Sequence, residues 1–116
     1  MITLKSVGQA AVDTFSWILG VRSGKWPTLR NKFIKGKSCA ACGTLKNLTV
    51  HHVVPVQADP TRELDPDNLI VLCSEPSNCH FVFGHLHSYL SWNPDVVTDC
   101  EAHLDKVRKR PCLSKE

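Results

Sequence analysis

Two pairs of cysteines have the residue type and the spacing of a metal site. Cys39 and Cys42 are separated by two residues, and Cys73 and Cys79 by five. Four thiolates can close a tetrahedral shell around Zn²⁺, and such a structural zinc contributes directly to folding. The second gap exceeds the usual gap of about two to four residues, so His80 or a neighbouring histidine is an alternative to Cys79. A thiol oxidoreductase using the first pair is disfavoured, because no βαβ pattern surrounds it.

The adjacent histidines His51 and His52 are a second candidate for chemistry. The surrounding run, residues 48–54, is rich in β-branched side chains and stops at Pro55, which predicts a strand. Neighbouring residues on a strand point to opposite faces, so the two histidines cannot share one task. One can ligate a metal ion while the other acts as a general base. Taken alone, the pair is also compatible with a purely structural role.

The elements that must position these residues follow in order along the chain. After a polar, turn-forming stretch over residues 57–68, the apolar residues 69–72 predict a second strand, antiparallel to the first if the loop folds back. A helix is expected from Cys79, and a last helix is expected with Asn93 as its cap and Pro94 as its first residue. The apolar face of the last helix would consist of Val97, Cys100, Leu104 and Val107.

Two further helices are predicted in the N-terminal part. The first ends at about Gly20, and the second starts at Pro27 and stops before Gly36. The apolar positions of the first are Leu4, Val7, Ala11, Phe15 and Ile18. With 116 residues the chain fits one domain, which we divide into an N-terminal helical basic extension (1–36), a zinc-stabilised core (37–92) and a C-terminal helix and tail (93–116).

Charge is distributed unevenly along this sequence. The formal net charge is +3, and no acidic residue occurs between Thr14 and Ala58. One-sided charge of this kind attracts polyphosphate and speeds encounter with nucleic acid, although a solvated helix face would have the same composition. The basic residues of this stretch that we assign to nucleic-acid binding are Arg22, Lys25, Arg30, Lys32, Lys35 and Lys37.

The cysteines also bear on the expected compartment. The apolar residues 7–21 are interrupted by polar ones and do not form a recognisable secretory signal, and no stretch is long and apolar enough to span a bilayer. The cysteines are therefore expected to be reduced metal ligands in a cytoplasm, without a membrane partner.

The order of these motifs resembles that of the HNH endonuclease family. The matching elements are Cys39-x-x-Cys42, His51-His52-Val53-Val54-Pro55, Asp67-Asn68-Leu69, Leu72-Cys73 and Cys79-His80 with His85. The resemblance covers about residues 26–95. It implies an α+β fold with a ββα-metal (His-Me finger) core, a four-cysteine zinc site and flanking α-helices. It also implies a small stand-alone nuclease of the kind found in phages and other mobile elements.

The resemblance implies a role for each motif residue. His51 would bind one divalent catalytic ion (Mg²⁺, Mn²⁺, Ni²⁺ or Zn²⁺), and His52 would be the general base that deprotonates the attacking water. Asn68 would hold the loop and orient His52. His80 would complete the metal shell together with a second helical histidine.

The second helical ligand departs from the common pattern, in which it lies four residues after the first. That position is Gly84, whereas His85 lies five residues after His80 and reaches the same ion only if the helix ends or bulges at Gly84. His87 is on the same face as His80 but too far along an ideal helix to share one ion. We therefore predict His85 ahead of His87, with water as a third option.

The predicted function is a DNA endonuclease that hydrolyses phosphodiester bonds by a one-metal mechanism with a histidine general base. Its expected partner is duplex DNA, with Arg62 as a further phosphate contact in the loop between the strands. A homodimer or an association with a phage packaging or recombination machinery is a further expectation, as is a cytoplasmic location in a bacterium or phage-infected host cell. The alternative is a zinc-stabilised DNA- or partner-binding module without catalysis, which the basic N-terminal half also fits.

Overall fold

The computed structural model describes residues 23–113, in which short regular elements alternate with tight turns. The predicted N-terminal helix and Arg22 lie outside the described residues. In chain order the elements are helix α1 (Trp26–Ile34), strand β1 (Leu48–His52), two 3₁₀ turns (Pro60–Arg62 and Pro66–Asn68), strand β2 (Leu69–Cys73), a π-helical turn (His80–Gly84) and helix α2 (Val96–Arg108). In this part of the chain, no helix has the length and apolar character needed to cross a membrane.

The two strands form an antiparallel sheet, as the sequence predicts. Leu48 pairs with Cys73, and His52 pairs with Leu69. β2 is apolar throughout because all of its residues are buried, whereas burial in β1 is confined to its last three residues. The fold is mixed α+β, as expected. The strand, loop and strand follow in the expected order, and a short helical turn takes the place of the expected helix after them.

The core lies between the sheet, the cysteine-bearing turn at residues 39–43 and helix α2. Within residues 23–113, half of its buried members are cysteines. Those members are Cys39, Ala41, Ile70, Leu72, Cys73, Cys79, Val96 and Cys100. The cysteines are therefore themselves part of the packing of this core.

Two helix predictions differ from the structure. The segment after Cys79 forms a five-residue π-helical turn instead of a longer α-helix. Helix α2 begins at Val96 and not at Asn93, and it buries Val96 while Val97 is 44% exposed. The reason is a turn closed by Asn93, whose carbonyl accepts from the Val96 N–H at 3.2 Å and whose Oδ1 accepts from the Asp95 N–H at 2.9 Å.

Candidate metal centres and catalytic site

The four paired cysteines meet in one cluster. Their sulfur atoms all lie within 4.8 Å of one another, and Cys39, Cys73 and Cys79 are buried. The Sγ atoms of Cys42 and Cys73 are 3.8 Å apart, which is too long for a disulfide. The same distance matches the edge of a tetrahedron with metal–sulfur bonds of about 2.3 Å. The cluster is therefore compatible with a structural zinc.

The wide gap in the second cysteine pair is accommodated by the turn over residues 74–78. Asn78 closes this turn with a φ of 48°, a left-handed conformation that asparagine tolerates better than most residues. Cys79 thereby returns to the sulfur cluster, while His80, the alternative fourth ligand, belongs to a separate cluster of histidines.

The local environment makes the thiols of the cluster unequal. Burial raises the pKa of Cys79 far above its ordinary value, and the neighbouring Cys39 raises it further. Burial also acts on Cys39, but hydrogen bonds from the backbone of Cys42, Ala41 and Cys73 outweigh it and lower the pKa of Cys39. Several thiolates confined in this space repel one another, so full ionisation of the cluster requires a cation.

Three histidines from different parts of the chain form the second cluster. His51 comes from β1, His80 begins the π-helical turn, and His85 directly follows it. One ring nitrogen of each lies within 4.8 Å of those of the other two, and the ring centroids are 4.9 to 5.1 Å apart. His87, the alternative to His85, is exposed and packs against Phe81 instead.

The π-helical turn brings His80 and His85 to the same side of the chain. A π-helix closes hydrogen bonds between residues five apart, whereas an α-helix closes them between residues four apart. On an ideal α-helix, His85 would lie about 140° around the axis from His80. The bulge that the sequence requires at Gly84 is thus present as a turn that ends at this residue.

Gly84 lies directly beneath the ring of His51. A Cβ atom at this position would lie 2.9 Å from Cε1 and 3.0 Å from Nδ1 of His51. A side chain at the position where the common pattern has its second helical histidine would therefore displace His51. The glycine allows the close approach of the strand and the turn that the cluster needs.

Hydrogen bonds set the tautomers of His80 and His85. The Thr49 hydroxyl donates to the Leu72 carbonyl at 2.7 Å, so its oxygen accepts from the Nδ1–H of His80 at 3.1 Å. The Nδ1–H of His85 donates to the Ser91 carbonyl at 2.9 Å. Each Nδ1 therefore carries the proton, and each Nε2 keeps the lone pair that a metal ion needs.

His51 has a buried ring nitrogen that has no hydrogen-bond partner among the described residues. Within residues 23–113, its Nε2 is the one buried side-chain nitrogen or oxygen without a hydrogen-bond partner. Burial, followed by the proximity of His80 and His85, lowers the pKa of His51 to about 3. Burial, followed by the proximity of His85, lowers the pKa of His80 to about 4. Because neutral imidazole is the ligating form, this donor set fits a divalent ion.

His52 lies outside this cluster but borders the same cavity, which has a volume of about 280 Å³. Its Nε2 is 2.8 Å from the Glu63 carbonyl; because a carbonyl only accepts, Nε2 donates and Nδ1 is the basic nitrogen. The Trp26 ring of α1 packs on the imidazole with a centroid distance of 4.6 Å. The Glu63 carboxylate also accepts from the Ser23 N–H at 2.8 Å, which ties the segment before α1 to the same loop.

Asn68 joins the two ends of the loop between the strands, and it is fully buried. Its Oδ1 accepts from the Val54 N–H at 2.8 Å, and its Nδ2 donates to the carbonyls of Val54 and Arg62 at 3.0 and 3.2 Å. Arg62 directly precedes Glu63. Asn68 therefore holds the stretch of backbone that supplies the acceptor for His52.

Among residues 23–113, the basic residues assigned to nucleic-acid binding lie on or beside α1, with the exception of Arg62. Arg62 is half-exposed and its Nε is 3.5 Å from Asp65. The Lys37 ammonium donates to the Phe33 carbonyl at 2.6 Å and lies 3.9 Å from the centre of the Phe33 ring. The remaining described members of the set are Lys25, Lys32 and Lys35, which are exposed, and Arg30, which is half-buried.

Three contacts that orient the histidines are missing from the motif-based prediction. They come from Thr49, Ser91 and Glu63. Strand alternation could have indicated Thr49, because it lies two residues before His51 and therefore on the same face. No local signal marks the other two, since they act through backbone carbonyls that any residue could supply.

The segment that contains both strands matches a known protein family. Residues 39–81 match the family described as HNH endonuclease, so the resemblance noted in the sequence is confirmed. The match includes the histidine pair, Asn68 and His80, and it ends before His85. No curated protein and no solved structure matches the chain.

Proposed function

Because residues 39–81 carry an HNH endonuclease motif, we propose that this chain is a metal-dependent DNA endonuclease that hydrolyses phosphodiester bonds. One observation carries the proposal: a cluster of three histidines borders the same cavity as His52, whose tautomer is set by a backbone carbonyl. The match to the HNH endonuclease family over residues 39–81 supports nuclease activity in general. The DNA substrate, the one-metal mechanism and the residue roles are proposed here.

His51, His80 and His85 would hold the divalent ion. The ion would polarise the scissile phosphate and stabilise the negative charge that develops on its oxygens. His51 and His80 would contribute neutral nitrogens, because burial keeps the pKa of each low. The cysteine cluster would hold a separate zinc with a structural role.

His52 would act as the general base. Its Nδ1 takes a proton from a water molecule, whose oxygen attacks the phosphorus while the bond to the 3′ oxygen breaks. The Glu63 carbonyl accepts from Nε2–H and stabilises the imidazolium that forms. Asn68 would act indirectly, because it positions the backbone that carries this carbonyl.

The substrate class is supported by charge. Lys25, Lys32 and Lys35 are exposed on or beside the helix that packs on His52 through Trp26. Lysine ammonium groups on such a surface bind the phosphate backbone without reading its sequence. Binding should therefore weaken steeply with salt, with a slope that falls by about one for each contacting lysine replaced by alanine.

The proposal is tested by incubating supercoiled plasmid with the zinc-loaded protein and Mg²⁺, Mn²⁺ or Ni²⁺. We expect nicking by the wild type and a loss of about 10²- to 10⁴-fold in the His52→Ala variant, because the general base is removed. The control is Leu45→Ala, which alters an exposed residue outside the cluster and its cavity and should nick at the wild-type rate.

Two outcomes would contradict the proposal. The first is no nicking by the wild type with any of these ions, and the second is equal nicking by His52→Ala. Salt-dependent DNA binding without cleavage would instead support a zinc-stabilised binding module. Zinc content and melting temperature of each variant show whether a loss of activity reflects unfolding.

A further inference from the structure

The segment that follows the π-helical turn exposes a group of apolar side chains beside the histidine cluster. We name this segment, residues 86–92, the aromatic loop. Leu86 is 51%, Tyr89 67%, Leu90 100% and Trp92 36% exposed. Single exposed apolar residues are common on protein surfaces, but several within one short loop indicate an interaction site.

The aromatic loop is held in place by its own hydrogen bonds. The Ser91 hydroxyl donates to the His85 carbonyl at 2.6 Å, and the Ser91 N–H donates to the Ser88 carbonyl at 2.9 Å. The Asn93 N–H donates to the Gly84 carbonyl at 3.0 Å, which closes the loop onto the π-helical turn. The apolar side chains are thus presented on an ordered backbone, so binding there costs little additional ordering.

A pocket of about 380 Å³ separates the aromatic loop from the chain after β1. Its walls are formed by His85, Tyr89, Leu90, Ser91 and Trp92 on one side and by Pro55, Gln57 and Ala58 on the other. This volume lies within the range of small-ligand pockets, about 300 to 1,000 Å³.

The chemistry of the walls selects among occupants. The described lining contains no lysine, arginine, aspartate or glutamate, so it offers a phosphate no cation. It offers instead the exposed ring of Tyr89 and the side-chain amide of Gln57, which can both donate and accept. A flat, neutral heteroaromatic ring with hydrogen-bonding edges matches both features.

The position of the pocket connects it to the histidine cluster. Pro55, Gln57, His85 and Tyr89 line both this pocket and the cavity that His51 and His52 border. A nucleic-acid strand with a phosphate at the cluster would therefore place a neighbouring nucleotide beside the aromatic loop.

We propose that this pocket is a nucleobase subsite, in which an unpaired base next to the scissile phosphate stacks on Tyr89 and Trp92 closes the pocket. The proposal rests on the proposed nuclease function. It predicts that the enzyme favours DNA with an unstacked base at the cut, such as single-stranded or nicked DNA, over intact duplex, because paired bases are already stacked.

The test is a double-mutant cycle, in which a substitution in the protein is combined with the removal of one base from the DNA. Tyr89→Ala, Tyr89→Phe and wild type are compared on oligonucleotides that carry an ordinary nucleotide or an abasic one at each position flanking the mapped cut. Stacking on an aromatic side chain corresponds to about five- to 150-fold in affinity. We expect Tyr89→Ala to lose about tenfold on the ordinary oligonucleotide and less than about twofold on the abasic one at a single flanking position. Tyr89→Phe should behave as wild type because it keeps the ring.

The cycle is measured both as kcat/KM and as the dissociation constant without added divalent ion, so that it does not depend on cleavage. Without cleavage, the abasic nucleotide is placed at each position of the bound oligonucleotide in turn. Leu45→Ala is the matched control, because Leu45 is 77% exposed and does not line the pocket. Failure of plasmid nicking with intact coupling in the binding cycle would overturn the nuclease proposal and keep the subsite.

Equal losses for Tyr89→Ala on ordinary and abasic DNA at every position would overturn the subsite while leaving the nuclease intact. A change of oligomeric state in Tyr89→Ala by analytical ultracentrifugation, without coupling to any base, would assign the aromatic loop to self-association and also overturn the subsite. Zinc content and melting temperature close to the wild-type values show that the exposed substitution has not disturbed the fold.

Discussion

At the scale of single residues, Gly84 determines the geometry of the histidine cluster because it has no Cβ atom. In the common family pattern this position carries a metal ligand, and here it carries no side chain. The His51 ring lies against the backbone of Gly84, so a ligating side chain at position 84 would displace His51. His85 occupies the place in the cluster that a histidine at position 84 has in the common pattern.

The Gly84→Ala substitution tests this interpretation. A Cβ placed 2.9 Å from His51 Cε1 must displace the ring, so we expect a destabilisation of about 1–3 kcal/mol and at least a tenfold weaker affinity for Mn²⁺. Chemical denaturation and titration calorimetry measure these effects. Gly24→Ala is the control, because no heavy atom of residues 23–113 lies within 4 Å of its added Cβ. Equal Mn²⁺ affinity in the two variants would contradict the interpretation.

Trp26 lies outside the segment that matches the family, yet its ring packs on His52. Aromatic pairs of this kind are worth about 0.5–1.5 kcal/mol, so Trp26→Ala should lower kcat by about two- to tenfold through a less well-positioned base. Trp26→Phe should restore most of the rate. A change confined to KM, or one that Trp26→Phe fails to restore, would assign the tryptophan to substrate binding or to stability instead.

At the scale of elements, the cluster depends on the joint between β1 and the π-helical turn. Thr49 forms this joint, because its hydroxyl bonds both the Leu72 carbonyl and Nδ1 of His80. The threonine therefore connects the sheet to the first histidine of the turn. Contacts that orient ligating histidines in this way contribute strongly to metal affinity.

Thr49→Val removes this joint while conserving the shape of the side chain. We expect Mn²⁺ affinity to fall by about 10- to 100-fold, because His80 loses the acceptor that fixes its tautomer. Thr49→Ser keeps the hydroxyl and should retain most of the affinity. The zinc content of both variants should stay at the wild-type level, and unchanged Mn²⁺ binding by Thr49→Val would show that the joint is unimportant for the ligands.

At the scale of the whole molecule, we expect the two candidate metal centres to have different consequences for folding. The cysteine cluster is part of the core, whereas the histidine cluster borders an open cavity. Loss of a metal from the first should therefore unfold the chain, and loss from the second should affect chemistry alone.

Zinc removal tests this division of roles. Treatment with a mercurial and a chelator should abolish the near-ultraviolet circular dichroism and the cooperative melting transition, and zinc with a thiol reductant should restore both. His80→Ala, which removes a ligand of the other cluster, should keep its zinc and remain folded. Cooperative melting at an unchanged temperature after complete zinc loss would refute a structural role for the cysteine cluster.

The local patterns of the sequence sufficed for the strands and for the set of residues that could do chemistry. β-branched runs bounded by a proline and by polar turns predict β1 and β2. Strand alternation predicts that His51 and His52 do not enter one cluster, and His52 lies outside the cluster that contains His51. Cysteine and histidine spacing, with the family resemblance, identified both groups of possible ligands. These inferences succeeded because each depends on residues close in the chain.

Only the tertiary structure decided which of those residues meet. Spacing left Cys79 or His80 open for the cysteine site, and the structure assigns them to separate clusters. For the second site, spacing favoured His85 over His87, with water as a third option, and only on the condition that the helix ends or bulges at Gly84. The π-helical turn brings His85 into the cluster, and contacts with residues outside the turn hold it there: the His51 ring packs against Gly84, and the Ser91 carbonyl accepts from the Nδ1–H of His85. No local pattern specifies them, because they join segments that are brought together only when the chain folds.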